Sequence, residues 1–126
     1  MIFGVGCDIV KISRFEKWVE SEESYIGRFF NEKERIQTEV GMHRKCEFYA
    51  GRFAAKEAFS KALGTGISGF NLRDVYVCPD DRGRPVFVTE GSAKTLAEKL
   101  CGNGFRVHIS ISHEKEYAVA YAVIEI

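Results

Sequence analysis

The feature that most limits how this chain can fold is an unbroken helix-forming stretch from Met42 to Leu63. It holds no proline, and Gly51 is its only glycine. Ala50, Ala54, Ala55, Ala58 and Ala62 favour helix more than any other residue type, and Phe48, Phe59 and Leu63 add apolar bulk. Gly64-Thr65-Gly66 supplies the stop, and Gly69 extends a flexible connection. So many small side chains on one helix predict another element packed closely along it.

The flanking segments read as shorter elements. Ile2 to Ile12 is apolar almost throughout, which predicts a strand buried on both faces. Ser13 is placed to cap a short helix that carries Phe15, Trp18 and Val19 on its apolar side. Asn31, with Glu34 three residues on, predicts a capping box and a helix to about Val40, ended by Gly41. Val75–Val77 and Pro85–Val88 flank the turn Pro79-Asp80-Asp81-Arg82-Gly83, a hairpin signal. Ser92–Cys101 reads as a helix with Leu96, Ala97 and Leu100 inward, ended by Gly102-Asn103-Gly104. Val107–Ser112 and Tyr117–Ile126 read as strands, with His113–Glu116 as the tight turn between them. The order strand, helices, hairpin, helix, hairpin predicts an α+β fold. A mostly antiparallel sheet would pack on one long helix plus short helices, in a single domain over residues 1–126.

Composition narrows the function classes. The 18 basic and 18 acidic side chains cancel, which argues against coating nucleic acid through bulk charge. Cys7, Cys46, Cys78 and Cys101 are scattered with no C-x-x-C pair, which argues against structural zinc. Met1 leads straight into a strand-like run with no basic leader, and no apolar stretch approaches the roughly 18 residues of a membrane span. A cytoplasmic protein with reduced thiols is expected.

Four groups of residues carry possible chemistry. Asp8 lies inside the apolar run Val5-Gly6-Cys7-Asp8-Ile9-Val10. A buried carboxylate there needs a metal, a cation or backbone donors, unless it sits at a strand end and caps a turn. Gly4 and Gly6 would let a ligand or another backbone approach closely. Glu57 and Lys61 are four apart, hence on one helix face, with Arg52 and Lys56 as a second such pair; an ordinary solvated face gives the same spacing. His113, at a strand end, suits a phosphate donor, a proton carrier or a plain turn residue. The loop Gly64-Thr65-Gly66-Ile67-Ser68-Gly69 offers backbone N–H groups to a phosphate, or simply caps the helix; it lacks the G-K-[ST] of a P-loop.

Two of these pieces form a paired signature. Val5-Gly6-Cys7-Asp8 followed by Phe53-Ala54-Ala55-Lys56-Glu57-Ala58-Phe59-Ser60-Lys61 resembles the V-G-x-D and F-x-x-K-E-x-x-x-K motifs of the 4′-phosphopantetheinyl transferases. Gly51-Arg52-Phe53 onward to Gly64-Thr65-Gly66, and the ending Val107 to Ala118, resemble the short holo-acyl-carrier-protein synthase branch, whose length this chain also matches. Asn31 stands where that family often has Thr, and both residues cap helices. The segment from Glu20 to Met42 is the least similar part.

The resemblance implies an enzyme that moves phosphopantetheine from coenzyme A to a serine of an apo acyl carrier protein and releases 3′,5′-ADP, for fatty acid biosynthesis. It implies Mg²⁺ held by Asp8 and Glu57, and a homotrimer with active sites between subunits. Such a transfer is mostly positioning and charge neutralisation. On this reading Lys61 steadies the phosphates, and Arg44, Arg52 and His113 meet the nucleotide phosphates, including the 3′-phosphate. Ser60 and the backbone of Gly64 and Gly66 would line the same pocket. The proton acceptor for the serine stays open between Glu57 and a water on the metal. Arg14, Lys17 and Arg28 are the residues expected to meet an acidic carrier protein. The motifs alone also fit a metal-dependent phosphohydrolase, or a non-catalytic α+β binding module in which Asp8 and Glu57 make structural contacts.

Overall fold

The elements follow one another as β1 (Ile2–Lys11), α1 (Glu16–Glu20), α2 (Glu22–Phe29), α3 (Met42–Leu63), β2 (Val75–Pro79), β3 (Pro85–Thr89), α4 (Gly91–Cys101), β4 (Arg106–His113) and β5 (Tyr117–Glu125). The computed structural model describes residues 1–36 and 38–126, with backbone alone at residues 22–24. The fold is α+β, with β1, β5 and β4 in one antiparallel sheet in that order and β2–β3 as a separate hairpin.

Helix α3 occupies the predicted span, and its buried residues lie all round it rather than along one stripe. A helix of that kind is enclosed by its neighbours. The three-stranded sheet covers one side. On another, Phe59 meets Phe87 of β3 at a ring-centroid distance of 4.9 Å. The small residues explain how close the sheet comes. Ala118, Ala120 and Ala122 of β5 and Ala54, Ala55 and Ala58 of α3 are fully buried. A Cβ on Gly4 would stand 1.9 Å from the carbonyl oxygen of Ala62, and one on Gly6 would stand 1.9 Å from that of Ala58. Strand and helix backbones therefore touch, and no other residue fits at either position without moving one of them.

This contact also corrects the expectation that β1 is buried on both faces. Gly4, Gly6, Asp8 and Val10 turn toward α3, while Val5 (58% exposed) and Ile9 (63%) lie on the open face. Tyr121 of β5, 54% exposed, joins them there by pairing with Cys7.

The predicted helix from Asn31 to Val40 does not form. Its capping box does: the Asn31 side chain accepts from the Lys33 N–H, and Glu34 Oε2 accepts from the Asn31 N–H at 2.9 Å. Only a single 3₁₀ turn, Glu32–Glu34, follows, and Gly41 starts α3 instead of ending a helix. Gln37, within that span, lies outside the described residues. The reason is tertiary. Glu34 points into the core and meets Lys56, and both side chains are fully buried with Nζ 2.6 Å from Oε2. Lys56 also donates to the carbonyls of Leu72 (2.9 Å) and Val75 (2.6 Å). Burial pushes the Glu34 carboxyl up and the Lys56 ammonium down, and each partner pulls the other back. Removing one member of such a pair costs about 3–5 kcal/mol. Lys56 is thus a fold residue joining α3, the 32–34 turn and the start of β2, and not part of a solvated pair with Arg52.

Two smaller expectations also change. Ser13 falls inside a 3₁₀ turn, Ile12–Phe15, that has no side-chain cap. Leu100 of α4 is 43% exposed, and the inward face is carried by Ala93, Ala97 and Leu96.

Candidate active site

Asp8 reaches α3 because the preceding glycines have already brought β1 against the last turns of the helix. Its Oδ1 accepts from Lys61 Nζ at 3.1 Å, and the same ammonium donates to the Cys7 carbonyl at 2.9 Å. Glu57 lies one turn back on α3 and is half-buried. Loss of water raises its carboxyl above the ordinary range, the Asp8 charge raises it further, and Lys61 and Arg14 hold it down. Asp8, Glu57, Lys61 and Arg14 therefore form one electrostatic cluster. Arg14 arrives from the 3₁₀ turn after β1, with its guanidinium 5.5 Å from the centre of the Phe53 ring.

Two like-charged carboxylates on a rigid strand and a rigid helix are a fitting donor set for a divalent cation. Among the described residues no group of three or more His, Cys, Asp or Glu side chains gathers in this way. Two protein carboxylates, with the remaining positions left to water and phosphate, suit Mg²⁺.

Ser60 and the glycine loop lie elsewhere than expected. Ser60 is fully buried, and its hydroxyl donates to the Glu57 carbonyl at 2.7 Å, so it lines no open pocket. The N–H groups of Gly64, Thr65 and Gly66 all donate back to the Ser60 carbonyl, at 3.0, 3.2 and 3.3 Å. Gly64 takes the left-handed conformation (φ 87°) that closes a helix. The helix end consumes these amides, and they are not presented to a phosphate.

Arg44, Arg52 and His113 do come together. They line one cleft of about 640 Å³ between α3, the chain around Thr38 and the end of β4. The Arg52 guanidinium stacks on Phe48 with Cζ 3.9 Å from the ring centre. Burial lowers its pKa while Glu34 counters, and its Nε has no hydrogen-bond partner among the described residues. A desolvated cation of this kind favours a negatively charged neighbour. Neither Asp8, Glu57 nor Lys61 lines that cleft. Glu47 does, and no pattern in the sequence singles it out.

Arg28, placed beside Phe29 with Cζ 5.5 Å from its ring, lies on α2, and Lys17 lies on α1. The stacked pair Trp18 and Tyr25, 5.8 Å between ring centres, lies on the same two helices.

Residues 4–122 match the family described as the 4′-phosphopantetheinyl transferase superfamily. A holo-[acyl-carrier-protein] synthase of Clostridium kluyveri is 44% identical over 126 residues, covering 100% of this chain and 92% of that one. The crystal structure of a holo-(acyl-carrier-protein) synthase from Bacillus anthracis, in complex with coenzyme A (3′,5′-ADP), is similar at a TM-score of 0.75 and 40% identity, covering 99% and 97% of the two chains. The corresponding structure from Neisseria meningitidis has a TM-score of 0.82 at 30% identity, covering 100% of both.

Proposed function

Because the chain belongs to the 4′-phosphopantetheinyl transferase superfamily, we propose that Asp8, Glu57 and Lys61 form the centre at which it transfers 4′-phosphopantetheine from coenzyme A to a serine of apo acyl carrier protein. The serine oxygen attacks the β-phosphorus of the pyrophosphate, and 3′,5′-ADP leaves. The observation that carries this assignment is that Asp8, far from Glu57 in sequence, pairs with Lys61 and bears electrostatically on Glu57.

Asp8 and Glu57 would hold Mg²⁺, which when bound neutralises charge on the pyrophosphate. Lys61, paired with Asp8 on a flexible and half-exposed stem, steadies the phosphates, so that charge on the departing nucleotide meets an ammonium already nearby. Arg44, Arg52 and His113 take the nucleotide phosphates, including the 3′-phosphate. Support for that role comes from the gathering of Arg44, Arg52 and His113 around one cleft.

The carboxylate cluster and the cleft share no lining residue, so a nucleotide that used both would be held between copies of the chain. A homotrimer with sites between subunits satisfies this. It also gives the apolar outer face of the sheet, Val5, Ile9 and Tyr121, something to cover it. Arg14, Lys17 and Arg28 meet the acidic carrier protein. The rate of association should then fall several-fold between low and physiological salt, and a rate indifferent to salt would remove that assignment. The four free thiols suit a cytoplasmic enzyme of fatty acid biosynthesis. No helix among the described residues is long and apolar enough to cross a membrane.

Mass spectrometry of an apo carrier protein incubated with coenzyme A, Mg²⁺ and this protein is the decisive test. One phosphopantetheine mass gained on serine is expected. Turnover of coenzyme A without any acceptor would instead indicate hydrolysis.

A further inference from the structure

His113 and His43 come from different elements, yet they converge on one oxygen atom. Glu47 Oε2 lies 3.4 Å from His113 Nδ1 and 3.3 Å from His43 Nε2. His43 precedes Glu47 by one turn of α3, while His113 ends β4. Glu47 is mostly buried, its side chain 23% exposed, while both histidines stand about half exposed. Glu47 lines the cleft with His113, Arg44 and Arg52, whereas His43 lines a separate cavity of about 320 Å³ with Lys11, Cys46 and Lys115.

We propose that Glu47 is a positioning residue, whose carboxylate fixes the His113 imidazole by its Nδ1 edge and leaves Nε2 as the donor to an anion in the cleft. This rests on the reading of that cleft as the seat of the nucleotide phosphates. The chemistry requires such a partner. A ring that donates from Nδ1 to Glu47 donates from Nε2 as well only when it carries two protons. Arg44 and Arg52 line the same cleft as His113; Glu114 is its chain neighbour, and Glu47 is the carboxylate in contact from α3. Without Glu47 the Nδ1 edge would lose its carboxylate partner, and the ring would turn more freely. His43 competes for the same oxygen and gains nothing from the cleft. It is not a part of the binding surface.

The test is steady-state kinetics with coenzyme A and with dephospho-coenzyme A, which lacks the 3′-phosphate, on Glu47→Gln, His113→Ala, the double variant and His43→Gln. Glu47→Gln keeps shape and polarity at a partly exposed site, and a thermal melt within a few degrees of the parent confirms folding. Its KM for coenzyme A should rise on the order of fivefold to tenfold at unchanged kcat, with the KM for dephospho-coenzyme A nearly unmoved. The double variant should be no worse than His113→Ala alone, as for two residues acting as one unit. His43→Gln should leave kcat unchanged and KM the same or slightly lower. If His113→Ala raises the KM for coenzyme A selectively while Glu47→Gln does not, or if the two effects add, the positioning role is overturned and the cleft assignment stands. If His113→Ala leaves both substrates alike, the cleft assignment fails and the role of Glu47 fails with it.

Discussion

Toward the C-terminal end of α3, Lys61 pairs with Asp8 at 3.1 Å and also draws on Glu57, while the two carboxylates repel one another. Toward its N-terminal half, Arg44 and Arg52 line an open cleft in which a buried guanidinium nitrogen lacks any partner among the described residues. One cluster is a mixture of signs placed by backbone contact between strand and helix. The other gathers Arg44, Arg52, His113 and Glu47 around an open cleft, with Arg52 stacked on Phe48. Preorganised groups near reacting atoms lower the barrier, whereas groups that complete their hydrogen bonds only with ligand contribute mostly to binding. The two halves of the site should therefore fail in different kinetic parameters.

The sharpest contrast comes from the carboxylates. Glu57→Gln should lower kcat by about 10³-fold or more and remove dependence on added Mg²⁺. Full activity in that variant would end the assignment. Gly6→Ala comes next. Its Cβ would sit 1.9 Å from the Ala58 carbonyl, so β1 must lift from α3 and carry Asp8 with it. A loss of about 1–3 kcal/mol in stability is expected, with kcat down about 100-fold, read by denaturant melts alongside kinetics. Arg52→Ala should do the opposite: KM for coenzyme A up by about tenfold, kcat little changed. If Arg52→Ala instead mimicked Glu57→Gln, the division between the two regions would collapse.

Much of this was legible in residues 1–126, and the misses share a cause. The long helix, both hairpins and the α+β class follow from local signals: alanine content, strand-like runs and turn residues. The paired motifs led to Asp8, Glu57 and Lys61. The segment from Asn31 to Val40 failed because its capping box, though real, is overridden by the burial of Glu34 against Lys56, a partner 22 residues away. Lys56 reads as a surface lysine in any periodicity argument. Only the all-round burial of α3 shows why its ammonium turns inward. The Gly64–Gly66 loop carries glycines equally suited to a phosphate cradle and a helix cap, and hydrogen-bond directions decide between them. Glu47 is invisible in sequence because its meaning depends on His113, brought beside it by the pairing of β4 with β5 and the packing of that sheet on α3.

The smallest effect tests the electrostatic half of the comparison without a mutation. Glu57 titrates above its ordinary range in the folded chain, chiefly through desolvation and then through Asp8. The folded state thus binds that proton more tightly than the unfolded state. The resulting stabilisation is present at acid pH and is lost as pH rises through the raised folded value. At neutral pH the ionised pair costs stability, and a cation between the carboxylates should return it. Mg²⁺ should therefore raise Tm by roughly 3–6 °C per kcal/mol of binding at neutral pH, and by much less once Glu57 is protonated. The cationic cleft predicts the reverse partner: an anion such as 3′,5′-ADP should raise Tm with or without Mg²⁺, and Glu57→Gln should abolish the first shift while leaving the second. A Mg²⁺ shift that survived Glu57→Gln, or that persisted unchanged into acid, would place the cation somewhere other than Asp8 and Glu57.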